Sequence, residues 1–255
     1  MTRVAIVGAA GRMGQVMAEG LSREEDLVVS VLVDVHAPAR DVGALVVESL
    51  SQVDPQSIDV VVDFSTPSGT VASATWCAEH GVALVVGTTG LSDAQRASLE
   101  SAAMTTRVVM AANFALGAVL AERFAAMAAP YFARAEVIEL HHDAKVDAPS
   151  GTSLATAAAI ALSRRKAGRR ALDDPTERHV VAGSRGADVD GVKIHAVRLP
   201  GLVAHEEILF GGPGEGLTIR HDSYDRSSFV QGVVLALRSM GRAPGLTVGL
   251  STFLS

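Results

Sequence analysis

Residues 139–152 concentrate the side chains that acid chemistry on an anionic substrate requires. His141 or Lys145 can deliver a proton to a carbanion or enamine as hydride arrives elsewhere on the same molecule. His142 and Lys145 add cationic donors, and the start of a helix can hold a carboxylate through its backbone N–H groups. The segment therefore predicts a catalytic pair, His141 and Lys145, beside four substrate-binding residues: His142, Ser150, Gly151 and Thr152.

Two other interpretations of this segment are a metal site and a solvated polar loop. We expect no metal, because adjacent histidines on a strand point to opposite faces and no cysteine lies nearby. In an extended strand, residues four apart are separated by about 13 Å. His141 and Lys145 can thus act on one small ring only if the chain turns between them, whereas Asp147 and Pro149 indicate a turn only after Lys145.

Three glycines follow the first apolar run at a spacing that suits a dinucleotide. Gly8, Gly11 and Gly14 open the first predicted helix, where small residues let a pyrophosphate approach free backbone N–H groups. Asp34 ends the second predicted strand, where a carboxylate can accept hydrogen bonds from ribose hydroxyls. A merely structural turn is the alternative. The candidate cofactor-binding residues here are Gly8, Ala9, Ala10, Gly11, Arg12, Met13 and Asp34.

Charges around this turn bear on the choice of cofactor. Asp34 repels the 2′-phosphate of NADPH and so favours NADH. Arg12, His36 and Arg40 lie close enough in sequence to compensate that repulsion. NADH, NADPH or both therefore stay open as cofactors.

Two later segments follow predicted strands of the same half of the chain. In open α/β sheets, ligands bind at the carboxyl ends of the strands, so these segments can line the nicotinamide ribose and carboxamide. Ordinary loop structure is an equal alternative. The residues concerned are Gly87, Thr88 and Thr89, and then Ala111, Ala112, Asn113 and Phe114.

Short apolar runs alternate with helical patterns through the first half of the chain. Runs buried on both faces and separated by helices predict a parallel, Rossmann-like sheet in an α/β protein. The predicted strands are 4–8, 27–33, 58–64, 82–87 and 107–111, and the predicted helices are 12–21, 69–79 and 93–103.

The second half has the pattern of a second α+β domain with an open mixed sheet. Predicted domain bounds are 1–112 with 227–255 for dinucleotide binding, and 113–226 for substrate binding and oligomerisation. We expect a long loop at 166–190. The predicted helices are 114–129, 152–165 and 227–240, and the predicted strands are 135–142, 192–199, 203–210, 217–221 and 245–250.

Composition excludes several classes of protein. The 255 residues are 48% hydrophobic but only 4% aromatic, and the net charge is −6, which disfavours a nucleic-acid partner. No uncharged apolar run is long enough for a membrane span. The single cysteine, Cys77, can form no internal disulfide, and the opening residues show no secretory leader. We expect a cytoplasmic protein that binds neither nucleic acid nor membrane.

Taken together, these motifs resemble the dihydrodipicolinate reductase family. The resemblance spans nearly the whole chain. The residues that carry it are 8–14, Asp-Phe-Ser at 63–65, Gly-Thr-Thr-Gly at 87–90, Ala-Ala-Asn-Phe at 111–114, Glu-Leu-His-His at 139–142 and Lys-Val-Asp-Ala-Pro-Ser-Gly-Thr at 145–152.

This resemblance implies a homotetramer that uses NADH or NADPH to reduce a cyclic imine dicarboxylate to tetrahydrodipicolinate in lysine and diaminopimelate biosynthesis. It implies that His141 donates or accepts a proton, that Lys145 donates one, and that His142, Gly151 and Thr152 bind substrate. Arg226 matches an arginine near the cofactor or a hinge. Many members have a histidine where this chain has Ala144, preceded here by Asp143.

Two rival functions come from other classes. One is a different two-domain nicotinamide dehydrogenase of an amino-acid-like substrate, such as an aspartate dehydrogenase. The other is a nucleotide-sensing module without turnover. The string from His141 to Thr152 disfavours both, because a sensor needs no proton donor beside a carboxylate-binding helix start.

Overall fold

The apolar runs of the first half form one parallel sheet in the computed structural model, which describes residues 1–39 and 41–254. The chain divides into two units. Unit 1 comprises Met1–Phe114 and Arg226–Ser255, and unit 2 comprises Ala115–Asp225. The predicted fold class, a Rossmann-like domain followed by a domain with a mixed sheet, is confirmed.

Unit 1 contains a seven-stranded sheet in the order β12-β6-β5-β4-β1-β2-β3. All its pairings are parallel, and the central strands β4 and β5 are buried along their whole length, as continuous β-branched runs require. The strands are β1 Thr2–Val7, β2 Leu27–Val33, β3 Leu45–Val47, β4 Val60–Asp63, β5 Ala83–Val86, β6 Arg107–Met110 and β12 Gly245–Val248.

Local sequence signals set the helix starts of unit 1. Thr66 caps α2 and is followed by a proline in the first turn, while Ser92 and Gln95 form a reciprocal capping box on α3. The predicted helix at 227–240 begins instead as a short 3-10 turn, Arg226–Phe229. The helices are α1 Arg12–Leu21, α2 Pro67–His80, α3 Asp93–Ala102 and α6 Val230–Ser239.

The end of the chain completes unit 1. A Cβ on Gly232 of α6 would lie 1.9 Å from the carbonyl oxygen of Phe114, so only glycine permits this approach. Strand β12 pairs with the outer edge of β6, with Gly245 opposite Arg107. Buried Cys77 lies in the core of the unit, and burial raises the pKa of its thiol.

Unit 2 is a five-stranded mixed sheet in the order β11-β10-β7-β9-β8, with two helices on one face. Val137, Ile160 and Ile208 lie at the centre of its core, fully buried between sheet and helices. The strands are β7 Arg134–His141, β8 Ala187–Val189, β9 Val192–Arg198, β10 Ala204–Gly212 and β11 Glu215–Ser223, and the helices are α4 Leu116–Ala128 and α5 Gly151–Lys166.

Strand β8 corrects the prediction of a continuous loop at 166–190. It forms a tight hairpin with β9, in which Val189 pairs with Val192 across Asp190 and Gly191, both at positive φ. Lys193 of β9 adds a 3.0 Å ion pair to Asp188. Three-residue edge strands such as β8 and β3 are too short to show alternation, which is why both were absent from the prediction.

Candidate active site

The turn between β1 and α1 requires glycine at two positions. Gly8 has φ +80°, and a Cβ there would lie 2.7 Å from the Phe64 carbonyl oxygen. A Cβ on Gly14 would lie 2.1 Å from the carbonyl oxygen of Gly8. Gly11 is the N-cap of α1, and no side chain within the described part of the chain caps this helix. Its first N–H groups therefore fit a phosphate group.

Asp34 closes this turn from the second strand. Its carboxylate accepts a 2.9 Å bond from the Ala10 N–H and a 3.0 Å bond from the N–H of His36. A carboxylate has about four lone-pair sites, so both oxygens can still accept a ribose hydroxyl. Arg12 and His36 are exposed, while Arg40 lies outside the described residues. These residues fit a dinucleotide.

A buried carboxylate organises the ends of β4 and β5. Asp63 is fully buried, and it accepts hydrogen bonds from the hydroxyls of four residues and from one backbone N–H. Hydroxyl donors replace the water that this carboxylate loses on burial. One of the four donors, Thr88, belongs to a predicted cofactor segment. The hydroxyl donors are Ser65 at 2.7 Å, Thr70 at 3.1 Å, Ser73 at 2.6 Å and Thr88 at 3.0 Å.

Phe64 brings three of the predicted cofactor segments together. Its backbone abuts Gly8, and its ring occupies the space beside Gly87, where a Cβ would lie 2.0 Å from a ring carbon. The ring of Phe114 packs edge-on against it with centroids 5.8 Å apart. Segments 8–14, 87–89 and 111–114 thus gather at the carboxyl end of the sheet. Arg226 is exposed in the 3-10 turn that contacts α1.

In unit 2 the chain turns between the two predicted acid residues. Strand β7 ends at His141, and the N–H of Lys145 donates a 3.2 Å bond back to the carbonyl of His142. The Lys145 ammonium donates to both carboxylate oxygens of Asp147, at 2.7 and 2.8 Å. This turn was not evident from the sequence, and it removes the 13 Å separation that an extended strand would impose.

A buried ion pair lies beneath this turn. Glu139 is fully buried, and its carboxylate contacts Nδ1 of His141. Arg198 of β9 donates to both oxygens of Glu139, at 2.8 and 2.9 Å, and also to the carbonyl of Asp147 at 2.7 Å. From the sequence, Glu139 had no role of its own, and Arg198 could reach either the pocket or a tetramer interface. The available signal was the Glu-Leu-His-His string, which places a carboxylate two residues before a histidine on one strand face.

The environment shifts two pKa values in this group. Burial is the largest factor and lowers the pKa of His141, and the charges of Lys145 and Arg198 act in the same direction, while Glu139 opposes them. The hydrogen bond from Lys145 lowers the pKa of Asp147. Burial therefore favours the neutral form of the His141 ring.

The start of α5 is the candidate carboxylate site. The buried Ser150 is the N-cap, and its hydroxyl accepts a 3.2 Å bond from the Ser153 N–H. Gly151 is exposed at the first helical position, followed by the half-buried Thr152. The hydroxyl of Ser150 thus secures the helix start, and the exposed backbone at Gly151 is available to an anion.

Residues 1–39 and 41–254 contain no group of three His, Cys, Asp or Glu side chains that could hold a metal ion. Within the same ranges, no helix combines the length and the apolar character that crossing a bilayer would require.

The parallel sheet, the glycine turn and the carboxylate after β2 define unit 1 as a Rossmann-type nucleotide-binding domain. Two family descriptions match the chain: "Dihydrodipicolinate reductase, N-terminus" over residues 2–114 and "Dihydrodipicolinate reductase, C-terminus" over residues 117–254. The chain belongs to the dihydrodipicolinate reductase family and is an oxidoreductase.

Individual relatives agree with this assignment. The chain is 49% identical over 255 residues to 4-hydroxy-tetrahydrodipicolinate reductase of Beutenbergia cavernae, covering 99% of this chain and 98% of the relative. A solved dipicolinate-bound dihydrodipicolinate reductase from Paenisporosarcina sp. TG-14 is 38% identical, with a TM-score of 0.86 and 99% of each chain covered. Aspartate dehydrogenase from Thermotoga maritima, at 13% identity and a TM-score of 0.52 over 93% of this chain and 96% of that one, shares the fold alone.

Proposed function

We propose that this chain is a 4-hydroxy-tetrahydrodipicolinate reductase. Dehydration of 4-hydroxy-tetrahydrodipicolinate gives a cyclic imine dicarboxylate. The enzyme reduces this imine to tetrahydrodipicolinate, a step in lysine and diaminopimelate biosynthesis. The observation that carries the proposal is the backbone turn at His142, which brings Lys145 into one loop with His141, just before the start of α5. Such a loop offers a proton donor and a dicarboxylate-binding surface together.

Unit 1 binds NADH or NADPH in this proposal. The uncapped start of α1 holds the pyrophosphate, and Asp34 accepts hydrogen bonds from the adenosine ribose. The loops that end at Thr89 and Phe114 line the nicotinamide half. Bound there, the reduced dinucleotide supplies the hydride.

Unit 2 binds the substrate and supplies the proton. The exposed backbone at Gly151, with Thr152 and His142, binds the substrate carboxylates. The Lys145 ammonium then transfers a proton to the ring carbon next to the one that receives hydride, and the amine is reprotonated from water. The structure with dipicolinate bound to a relative supports a planar dicarboxylate as the ligand class.

Assembly into a homotetramer through the open face of the unit 2 sheet is part of the proposal. Residues that alternate with the buried Val137 and Glu139 point away from α5, and several are only partly buried hydrophobic side chains. Burying them against further copies would stabilise an oligomer. Light scattering on the purified protein tests this, and a monomer would contradict it. The side chains are Ile138, Leu140, Val197 and Leu209.

The test of the activity is spectrophotometric. We expect loss of NADH or NADPH absorbance when 4-hydroxy-tetrahydrodipicolinate is generated enzymatically in the cuvette, and inhibition by dipicolinate. Turnover of L-aspartate with oxidised dinucleotide would favour an aspartate dehydrogenase instead. Dinucleotide binding without turnover of either substrate would favour a sensor. We expect no metal requirement, so chelators should leave the rate unchanged, and we propose a cytoplasmic location.

A further inference from the structure

A fully buried carboxylate lies beneath the candidate acid loop and joins its parts. Glu139 contacts Nδ1 of His141 on one side and receives two hydrogen bonds from Arg198 on the other. In strand register, His141 lies opposite Arg198, so all three side chains occupy the helix-covered face of the sheet. A carboxylate with two oriented partners at full burial is a rigid support.

We propose that Glu139 and Arg198 are positioning residues: Glu139 holds the proton of His141 on Nδ1, and Arg198 ties that pair to the loop of Lys145. This inference rests on the proposed reduction and assigns different roles to the two candidate acid residues. His141 presents Nε2 as a hydrogen-bond acceptor. Lys145 is the group that gives up a proton.

The tautomer follows from the chemistry of the partner. An ionised carboxylate only accepts hydrogen bonds, so Nδ1 of His141 must donate, and in a neutral ring Nε2 then has a free lone pair. Burial lowers the pKa of His141 and so favours the neutral imidazole. A neutral ring with Nε2 unprotonated cannot act as an acid, whereas an ammonium carries three N–H donors.

Arg198 extends this support to the loop. The same Nη2 that reaches Glu139 at 2.8 Å also donates to the Asp147 carbonyl at 2.7 Å. The carboxylate of Asp147 in turn holds the Lys145 ammonium through two bonds. A planar guanidinium can make these contacts at once, and a lysine could not reproduce the fork.

Further charged groups near His141 come from β10, from the loop and from β9. Glu206 of β10 lies opposite Glu139 in register, and burial raises its pKa. Lys145 and Arg198 act on the imidazole from the loop and from β9. A test on Glu139 should therefore leave Glu206, Lys145 and Arg198 unmutated.

The other face of the same strand provides a matched control. Glu136 of β7 contacts Arg185 and lies 2.7 Å from Nε2 of His195, so it repeats the carboxylate, arginine and histidine set away from the acid loop. Its carboxylate is one-third exposed, unlike that of Glu139. Glu136→Gln therefore removes a comparable charge without touching His141.

The experiment measures the histidine tautomer by 15N NMR and turnover in parallel. We expect the wild-type His141 ring to be protonated on Nδ1 at pH 7. In Glu139→Gln the amide can donate to Nδ1, so the proton should move to Nε2 and kcat should fall about 100-fold or more, with the dinucleotide Kd unchanged. Glu136→Gln should leave the His141 signals as in the wild type, and kcat as well when the two proteins are compared at the same oligomeric state, because Glu136 lies on the open face of the sheet.

Arg198→Lys keeps the charge next to Glu139 and tests the second half of the proposal. We expect the Nδ1–H tautomer to persist while kcat falls about 10-fold or more, because the loop of Lys145 is no longer anchored. An unchanged kcat would overturn the role of Arg198.

A wild-type ring protonated on Nε2 alone would overturn the role of Glu139, even if no variant folded. Because the tautomer is read without substrate, absence of imine turnover in the wild type would instead count against the proposed function.

Discussion

The hydroxyl of Thr88 donates a 3.0 Å hydrogen bond to the carboxylate of Asp63, which lies on the neighbouring strand 25 residues earlier. This bond joins a candidate nicotinamide-binding loop to a carboxylate that is fully buried. The buried carboxylate therefore helps to fix the conformation of that loop, and mutation of Asp63 should disturb the loop.

Asp63→Asn should weaken both stability and cofactor binding. An asparagine offers one acceptor oxygen to five donors, so buried hydroxyls lose their partner, at a cost of about 1–3 kcal/mol in the free energy of unfolding. Urea denaturation and dinucleotide titration measure the two effects. Asp59→Asn, which removes a half-exposed ion pair with Arg3 near the other end of β4, should cost less than about 1 kcal/mol. Equal losses in the two variants would contradict the prediction.

Lys145→Met should lower kcat by about 10²- to 10⁴-fold, because it removes the proposed proton donor and preserves most of the side-chain volume. Dinucleotide affinity should stay nearly unchanged, since the residue lies in unit 2. Steady-state kinetics and a fluorescence titration check the two statements. Lys166→Met, an exposed lysine at the end of α5, is the control and should retain wild-type kinetics. Loss of dinucleotide binding in Lys145→Met would mean that its role is misassigned.

Asp34→Asn should change the choice of cofactor. Removing the negative charge should raise NADPH affinity relative to NADH by roughly tenfold, or about 1.4 kcal/mol of relieved repulsion. NADH itself should bind less tightly, because an asparagine has one acceptor oxygen fewer for the Ala10 N–H and the ribose hydroxyls. Apparent affinities for both dinucleotides provide the measurement. An unchanged ratio would show that Asp34 does not face the ribose.

Glu206 should make the protein less stable as the pH rises. Burial raises its pKa, while hydrogen bonds from Ser153 and from Thr156, the latter at 3.0 Å, oppose that shift. The folded state thus holds this proton more tightly than the unfolded state. The stability that it confers is complete below the ordinary pKa of a carboxyl and is lost as pH rises through the folded value.

Glu206→Gln should accordingly raise the free energy of unfolding by about 1 kcal/mol at pH 8 and change it little at pH 4. Denaturation at the two pH values decides the matter. Glu207→Gln is the matched control, because the neighbouring carboxylate points to the opposite face and pairs with Arg220. A gain that is the same at both pH values would argue against a buried proton on Glu206.

The sequence predicted the parallel sheet and its helices because strands that are buried on both faces are continuous apolar runs, which can be recognised from the local sequence alone. It predicted Ala187–Val189 wrongly as loop, because a strand of only three residues shows no alternation, although the Asp-Gly pair that follows is a common hairpin turn.

The ion pair of Glu139 with Arg198 could not be predicted. The partners lie 59 residues apart, and they meet only through the register of β7 with β9. The turn before Lys145 was equally hidden, since no glycine or proline lies between His142 and Lys145.

Because β12 and α6 come from the last 30 residues of a chain whose first 114 form the rest of unit 1, the order of synthesis matters. On the ribosome, the outer edge of β6 is made long before its covering strand, whereas unit 2 is a continuous segment that emerges complete. The sheet of the dinucleotide-binding domain can therefore be completed only after the whole of unit 2 has been translated.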